Sequence, residues 1–388
     1  MNKRIIERLV REHRTPIQII DHEKIRENIS TFKRLLPRVQ AYYAVKANSL
    51  QEIVRTVYRN GGSFDVASLF ELGLVLEEIK YLAPEKMQHF IWNNIIYANT
   101  MKQTETLHQL NLYSPLVTYD SIGEMRKIKE HCPNAGLVLR IEVPDEGSIV
   151  SLKDKFGVEV EHAIPLIERT INAGLRVEGL SFHVGSQCLE FNNYSEALKL
   201  SAEIFKEAER KGFEIGEKIT NRYPIKQLDI GGGFPVKYKG DEPSFEALAG
   251  RLNKEFEDFP RSKYAILAEP GRFYVANAAF LIMKIIGKTI KRGKVRYHVD
   301  DGLYHTFSGN IYDHQIPTIK SIREGREEEC TVFGPTCDSL DRITDNALLP
   351  GNLKEGDLLY AENMGAYTNA SSTNFNGFPP AKIVHINQ

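Results

Sequence analysis

Short runs rich in β-forming residues recur along the first two-thirds of the chain: Ala41–Ala47, Ser63–Ser68, His89–Asn94, Leu116–Ser121, Gly136–Val143, Arg176–Gly185, Lys226–Gly233 and Tyr264–Gly271. Several are continuous apolar stretches, the pattern of strands buried on both faces. Between them lie segments with helical spacing. In Ser49–Asn60, Leu50, Ile53, Val54 and Val57 fall on one helix face, with Ser49 as the expected N-cap and Gly61-Gly62 as the stop. Glu161–Ala173, Tyr194–Lys211 and Ser244–Phe259 read the same way. A doubly wound sheet would show this alternation too, but eight strand candidates favour a (β/α)8 TIM barrel over residues 21–278.

After residue 278 the helical period fades, and strand-like pieces are separated by Gly, Pro, Asn and Asp. Residues 279–388 therefore read as a mainly β domain. The strand candidate Pro16–Ile20 precedes the barrel and is expected to join that sheet, which makes the β domain discontinuous, 1–20 plus 279–388.

Composition changes little in this picture. Lys+Arg is 50 and Asp+Glu 51, a net charge of -1, which gives no reason to expect nucleic acid or an anionic membrane as partner. The charged N-terminus lacks an apolar h-region, and no apolar run approaches a membrane span. The four cysteines, at 132, 188, 330 and 337, form no CxxC pair. A reduced cytoplasmic protein is the expectation.

In a parallel barrel the chemistry sits at the C-terminal ends of the strands. The first ends in Tyr43-Ala-Val-Lys46, where a desolvated lysine becomes a candidate Schiff-base former, although a lone lysine more often snorkels to solvent. Asp65, on the second, either pairs with Lys46 or caps the next helix. Arg140 lies in an apolar run and needs an anionic partner. His183 fits ring stacking or proton transfer, or a satisfied core position. Gly231-Gly232-Gly233 after the seventh strand suits a phosphate cradle. After the eighth, Arg272 can hold a phosphate and Glu269 can face a ring nitrogen. Lysine, phosphate cradle and carboxylate together are what pyridoxal 5'-phosphate requires. The eleven histidines are scattered, so no metal site is expected. In the C-terminal part Cys337 stands beside acids, an arrangement that disfavours its thiolate and leaves a thiol able to donate a proton.

The ordered strings YAVKAN, FDVAS, FHVGS, LDIGGGFP, AEPGR, GPTCDSLD and ENMGAYT resemble the fold type III, alanine-racemase-like decarboxylases dependent on pyridoxal phosphate, and most of all the ornithine decarboxylase type. The resemblance runs from about Thr15 to Phe378. It implies that Lys46 carries the cofactor, that His183 stacks on its ring, and that Glu269 keeps the ring nitrogen protonated. Ser186, Gly232, Gly233, Arg272 and Tyr367 would hold the phosphate, with Asp65 and Arg140 lining the site. It further implies a homodimer with shared active sites, in which Cys337 and Asp338 reach the site from the second copy and Cys337 protonates the α-carbon. Phe375 would press on the departing carboxylate. Tyr312, Asp313 and Asp338 would meet a distal ammonium, which suits a basic amino acid: ornithine giving putrescine, or lysine giving cadaverine. Asp338 after the cysteine argues against diaminopimelate, and Asp313 against arginine. Gln187, where many eukaryotic relatives have Gly, points to a bacterial-type enzyme. A racemase of the same fold and a catalytically inactive regulatory homologue are the alternatives.

Overall fold

The β-forming runs of the first two-thirds become eight parallel strands that close into a barrel. In the computed structural model, which describes residues 3–216, 225–238, 240 and 242–388, these strands are Val39–Ala44, Ser63–Val66, Ile95–Tyr97, Leu116–Tyr119, Gly136–Arg140, Arg176–Ser181, Lys226–Asp229 and Tyr264–Ala268. The last pairs with the first through Ile266 beside Val39 and Ala268 beside Ala41, which completes the ring. Ser63–Val66 and Leu116–Tyr119 are buried at every position, which explains why they lack alternation.

Helices follow the strands where the apolar spacing placed them, with shifts that have local causes. The helix Gln51–Arg59 buries Ile53, Val54 and Val57, but its N-cap is Leu50 with no side-chain cap, not Ser49. The run His89–Asn94 is not a strand. It ends the helix Pro84–Asn94, which starts on a proline with its φ preset for the first turn, and the third barrel strand begins one residue later at Ile95. The other expected helices are Val160–Asn172, Asn192–Arg210 and Phe245–Glu255, the last capped by Ser244.

The chain divides into two compact units: 29–235 with 243–271, and 1–28 with 236–242 and 272–388. The division thus falls at 28/29 and 271/272 instead of 20/21 and 278/279, and residues 236–242 leave the barrel unit. The second unit is built on one eight-stranded sheet. Ile17–Asp21 lies in it, antiparallel to Ala279–Lys291 and parallel to Lys382–Ile386. Leu281, Met283, Tyr297, Val332 and Leu359 are among its fully buried core residues. An amphipathic helix, Lys3–His13, packs Ile6 and Leu9 against Ile17, Ile19 and Ile282. Those spaced apolar residues sit inside the charged N-terminal stretch. No described helix is long and apolar enough to cross a membrane.

Candidate active site

In the barrel unit the chemistry-bearing residues gather at the C-terminal strand ends. Lys46 follows the first strand in a single 3-10 turn, Val45–Ala47. Its Nζ donates to Asp65 Oδ2 at the end of the neighbouring strand, and Asp65 is fully buried. Asp65 therefore pairs with the lysine and leaves the helix cap to Ser68, whose Oγ accepts from the Glu71 N–H at 3.2 Å. Glu71 in turn accepts from the Ala67 N–H at 2.6 Å, which locks the turn behind Asp65.

Around that pair stand Arg140, His183, Asp229 and Glu269. Burial, then the charges of Asp229 and Asp65, push the Glu269 carboxyl well above the usual carboxylate range. Burial also raises Asp229, to about 6. Crowding several acids into one dry region raises their affinity for a proton, against the opposing pull of Lys46 and Arg140. His183 is driven the other way: burial, then Arg140 and Lys46, hold it well below an ordinary histidine, so the ring is neutral. Its Nδ1 accepts the Gly185 N–H at 3.1 Å, which leaves the proton to Nε2.

The glycine turn is a cradle that side chains would fill. A Cβ on Gly232 would meet Glu269 O at 2.9 Å and His183 Nε2 at 3.0 Å. One on Gly233, which has φ +93°, would meet Gly185 O at 2.4 Å. The turn is pinned by Gly231 N–H on Asp229 Oδ1 (2.9 Å), by the Tyr194 hydroxyl on Gly232 O (2.8 Å), and by Cys188 N–H on Gly233 O (2.8 Å). Ser186 begins the short strand Ser186–Cys188 that runs beside it. Bare backbone, two buried acids, an imidazole and a lysine amine, all within this unit, are a donor set that fits pyridoxal phosphate.

The second unit holds two further groupings. Arg272 is chelated by both oxygens of Asp313, and the pair is nearly fully buried. The Tyr238 hydroxyl accepts from Arg272 at 3.0 Å, and the Tyr367 ring lies 5.0 Å from the guanidinium carbon. Asp313 is thus turned toward Arg272, while its neighbour Tyr312 is exposed. In the other grouping Asp338 accepts from the Tyr304 hydroxyl, and the Tyr304 ring stacks on Phe375 at 4.3 Å. The Cys337 N–H donates to Asn376 Oδ1 at 3.1 Å, and the Cys337 side chain is exposed. Buried Asp341 shapes this loop: it accepts from Leu303 N–H (2.8 Å) and from both Thr336 N–H (3.0 Å) and Oγ1 (2.7 Å). Sequence reading missed Glu71, Asp229, Tyr304 and Asp341 as supports. Only the GPTCDSLD and LDIGGG strings, which contain two of them, carried a signal.

Comparison with known proteins gives a consistent picture. The family described as pyridoxal-dependent decarboxylase, pyridoxal binding domain, matches residues 22–276. A lysine/ornithine decarboxylase of Selenomonas ruminantium is 34% identical over 381 residues, 97% of this chain and 91% of its own. Antizyme inhibitor 2 of Xenopus laevis is 36% identical over 374 residues, 91% of this chain and 76% of its own. The crystal structure of a lysine/ornithine decarboxylase complexed with putrescine from Vibrio vulnificus superposes with a TM-score of 0.87 at 31% identity, covering 99% of this chain and 98% of that one.

Proposed function

This chain belongs to the pyridoxal-dependent decarboxylases, and on that footing we propose that it releases CO2 from a basic L-amino acid, ornithine first and lysine second. The observation that carries the reading is the convergence of Lys46, Asp65, Arg140, His183, Asp229 and Glu269 at one end of the barrel. When bound, pyridoxal phosphate supplies the electron sink for the bond to the departing carboxylate.

Lys46 is the covalent anchor, oriented by Asp65. Neutral His183 offers a ring face without competing charge. Glu269 would face the ring nitrogen and keep it protonated; burial and its acidic neighbours raise the carboxyl's affinity for a proton. Ser186, Gly232, Gly233, Arg272 and Tyr367 take the phosphate, and Arg140 lines the site with Asp65. Phe375 presses on the departing carboxylate, where an apolar face disfavours charge. Cys337 Sγ gives its proton to the α-carbon that has lost CO2. Tyr312, Asp313 and Asp338 face the distal ammonium of the substrate. One extra methylene is worth only about 1–3 kcal/mol in such a pocket, so activity on both diamino acids is expected.

A homodimer completes the site, with Cys337 and Asp338 supplied by the second copy; the exposure of Cys337 in a single chain supports this. Lys46→Ala subunits lack the anchor and Cys337→Ala subunits lack the proton donor, so neither alone should form the amine product, and mixing them is expected to restore amine formation. Two proteins that stay inactive after exchange would refute the shared site. For the substrate, CO2 and amine release are measured with ornithine, lysine, arginine and meso-diaminopimelate side by side. Putrescine, with or without cadaverine, is the expected product.

The antizyme inhibitor among the relatives favours a second reading, a regulatory homologue without turnover. Failure to take up the yellow cofactor, with no amine from any of the four substrates, would establish that reading instead.

A further inference from the structure

We propose that Phe156 is a positioning residue for Arg140, its ring fixing the guanidinium beside the bound cofactor. The inference rests on the assignment of Arg140 to the cofactor site. Arg140 closes the fifth barrel strand among Glu269, Asp120, Asp229 and Asp65. A guanidinium surrounded by several acids has several rotamers that satisfy its charge, so charge alone does not choose its plane. The Phe156 ring does: its centroid lies 4.8 Å from the guanidinium carbon, inside the range where an aromatic face attracts a cation.

The placement of that ring is built into the backbone. Val158 N–H donates to Arg140 O and Glu142 N–H donates to Val158 O, each at 2.9 Å. These two bonds lay residues 156–158 against the end of the strand that carries Arg140, with Ile141 bridged to Val158. Gly157 N–H donates to Asp120 Oδ2 at 3.0 Å. Gly157 has φ +98°, and a Cβ there would meet Glu142 N at 2.7 Å, so only glycine allows this approach. Upstream, the Asp145 carboxylate accepts from Ser151 Oγ (2.7 Å) and from Leu152 N–H (2.8 Å), closing the loop before it reaches Phe156. Phe156 lines a surface pocket of about 480 Å³ that Arg140 does not line. Arg140 itself is half-buried at the end of its strand. Low dielectric strengthens what the guanidinium can do for an anionic or hydroxyl group of the cofactor.

The test reads cofactor affinity, by titrating pyridoxal phosphate into the apo-protein and following its absorbance. Phe156→Leu is expected to weaken binding by roughly 3- to 30-fold, the range for loss of a partly desolvated cation–π contact. Phe156→Met repeats the test with a side chain that repacks easily, and Phe156→Tyr, which keeps the π face, is expected to stay within about twofold of wild type. Arg140→Gln weakens binding by itself, and adding Phe156→Leu to it is expected to cost nothing more, because the two act as one unit. Wild-type affinity in both Phe156→Leu and Phe156→Met, or additive losses in the double variant, would overturn the proposal. Wild-type affinity in Arg140→Gln would instead overturn the placement of Arg140 beside the cofactor. Thermal melts of each apo-variant separate these outcomes from unfolding.

Discussion

Lys46→Ala is expected to lower kcat by on the order of 10⁴-fold or more, since the proposed covalent anchor is lost outright. The protein should also lose the yellow colour and the cofactor label that borohydride fixes on wild type. The local structure predicts how Lys46→Arg will differ. Asp65 is fully buried and takes its hydrogen bond from Lys46. Alanine leaves that carboxylate without the lysine and should destabilise the fold, though modestly, because Lys46 itself is 40% exposed and solvent screens part of the pair. Arginine keeps a cation against Asp65 but has no amine that can act as nucleophile at neutral pH. The arginine variant should therefore melt near wild type and still be dead and colourless. Normal turnover in either variant would remove Lys46 from its assigned role.

How much of this was legible beforehand depends on what each residue needed from the rest of the chain. Apolar runs buried on both faces announce themselves, so seven of the eight barrel strands overlap runs marked in the sequence. The exception is instructive. His89–Asn94 contains Phe90, Ile91 and Trp92, good β-formers, yet Pro84 starts a helix that carries through them to Asn94. Tertiary packing of a helix overrode local propensity there. Ser49 was a sound capping candidate, but the first turn sits one residue further along and uses Leu50. In the site, Lys46, His183, the glycine turn and Glu269 were readable because strand ends and motif strings marked them. The supports were not. Asp229 and Asp341 matter through backbone N–H groups they accept from, Glu71 through a turn it locks, and Phe156 through a loop that returns to the fifth strand. Each is defined by a neighbour distant in sequence or by burial, and neither is visible in a string of residues. The competing options for Asp65, partner of Lys46 or helix cap, show the same limit: the Lys46 contact and the cap made by Ser68 decided between them.

Asp313→Ala is expected to destabilise the apo-protein by about 3–5 kcal/mol, the cost of leaving a buried partner uncompensated. Arg272 and Asp313 are 5% and 8% exposed in their side chains, and Asp313 gives both its oxygens to the guanidinium. Urea denaturation measures the loss. A pair like this is weak evidence for a stabilising role, since apolar replacements of both partners are often neutral or better. The double variant Arg272→Met/Asp313→Leu should accordingly regain most of the stability lost in Asp313→Ala while remaining inactive. That outcome would mean the pair is retained for what its members bind. The proposed roles sharpen the expectation. A carboxylate chelating Arg272 cannot also face a substrate ammonium with both oxygens, so turnover requires Arg272 to find another anion. Pyridoxal phosphate offers one. Saturating cofactor should then stabilise Asp313→Ala more than it stabilises wild type, because in the variant the phosphate meets a guanidinium with no competing carboxylate. Equal stabilisation of the two proteins would show that Arg272 does not hold the phosphate. A Asp313→Ala protein as stable as wild type would show that the buried guanidinium is satisfied by Tyr238 and Tyr367 without its acid.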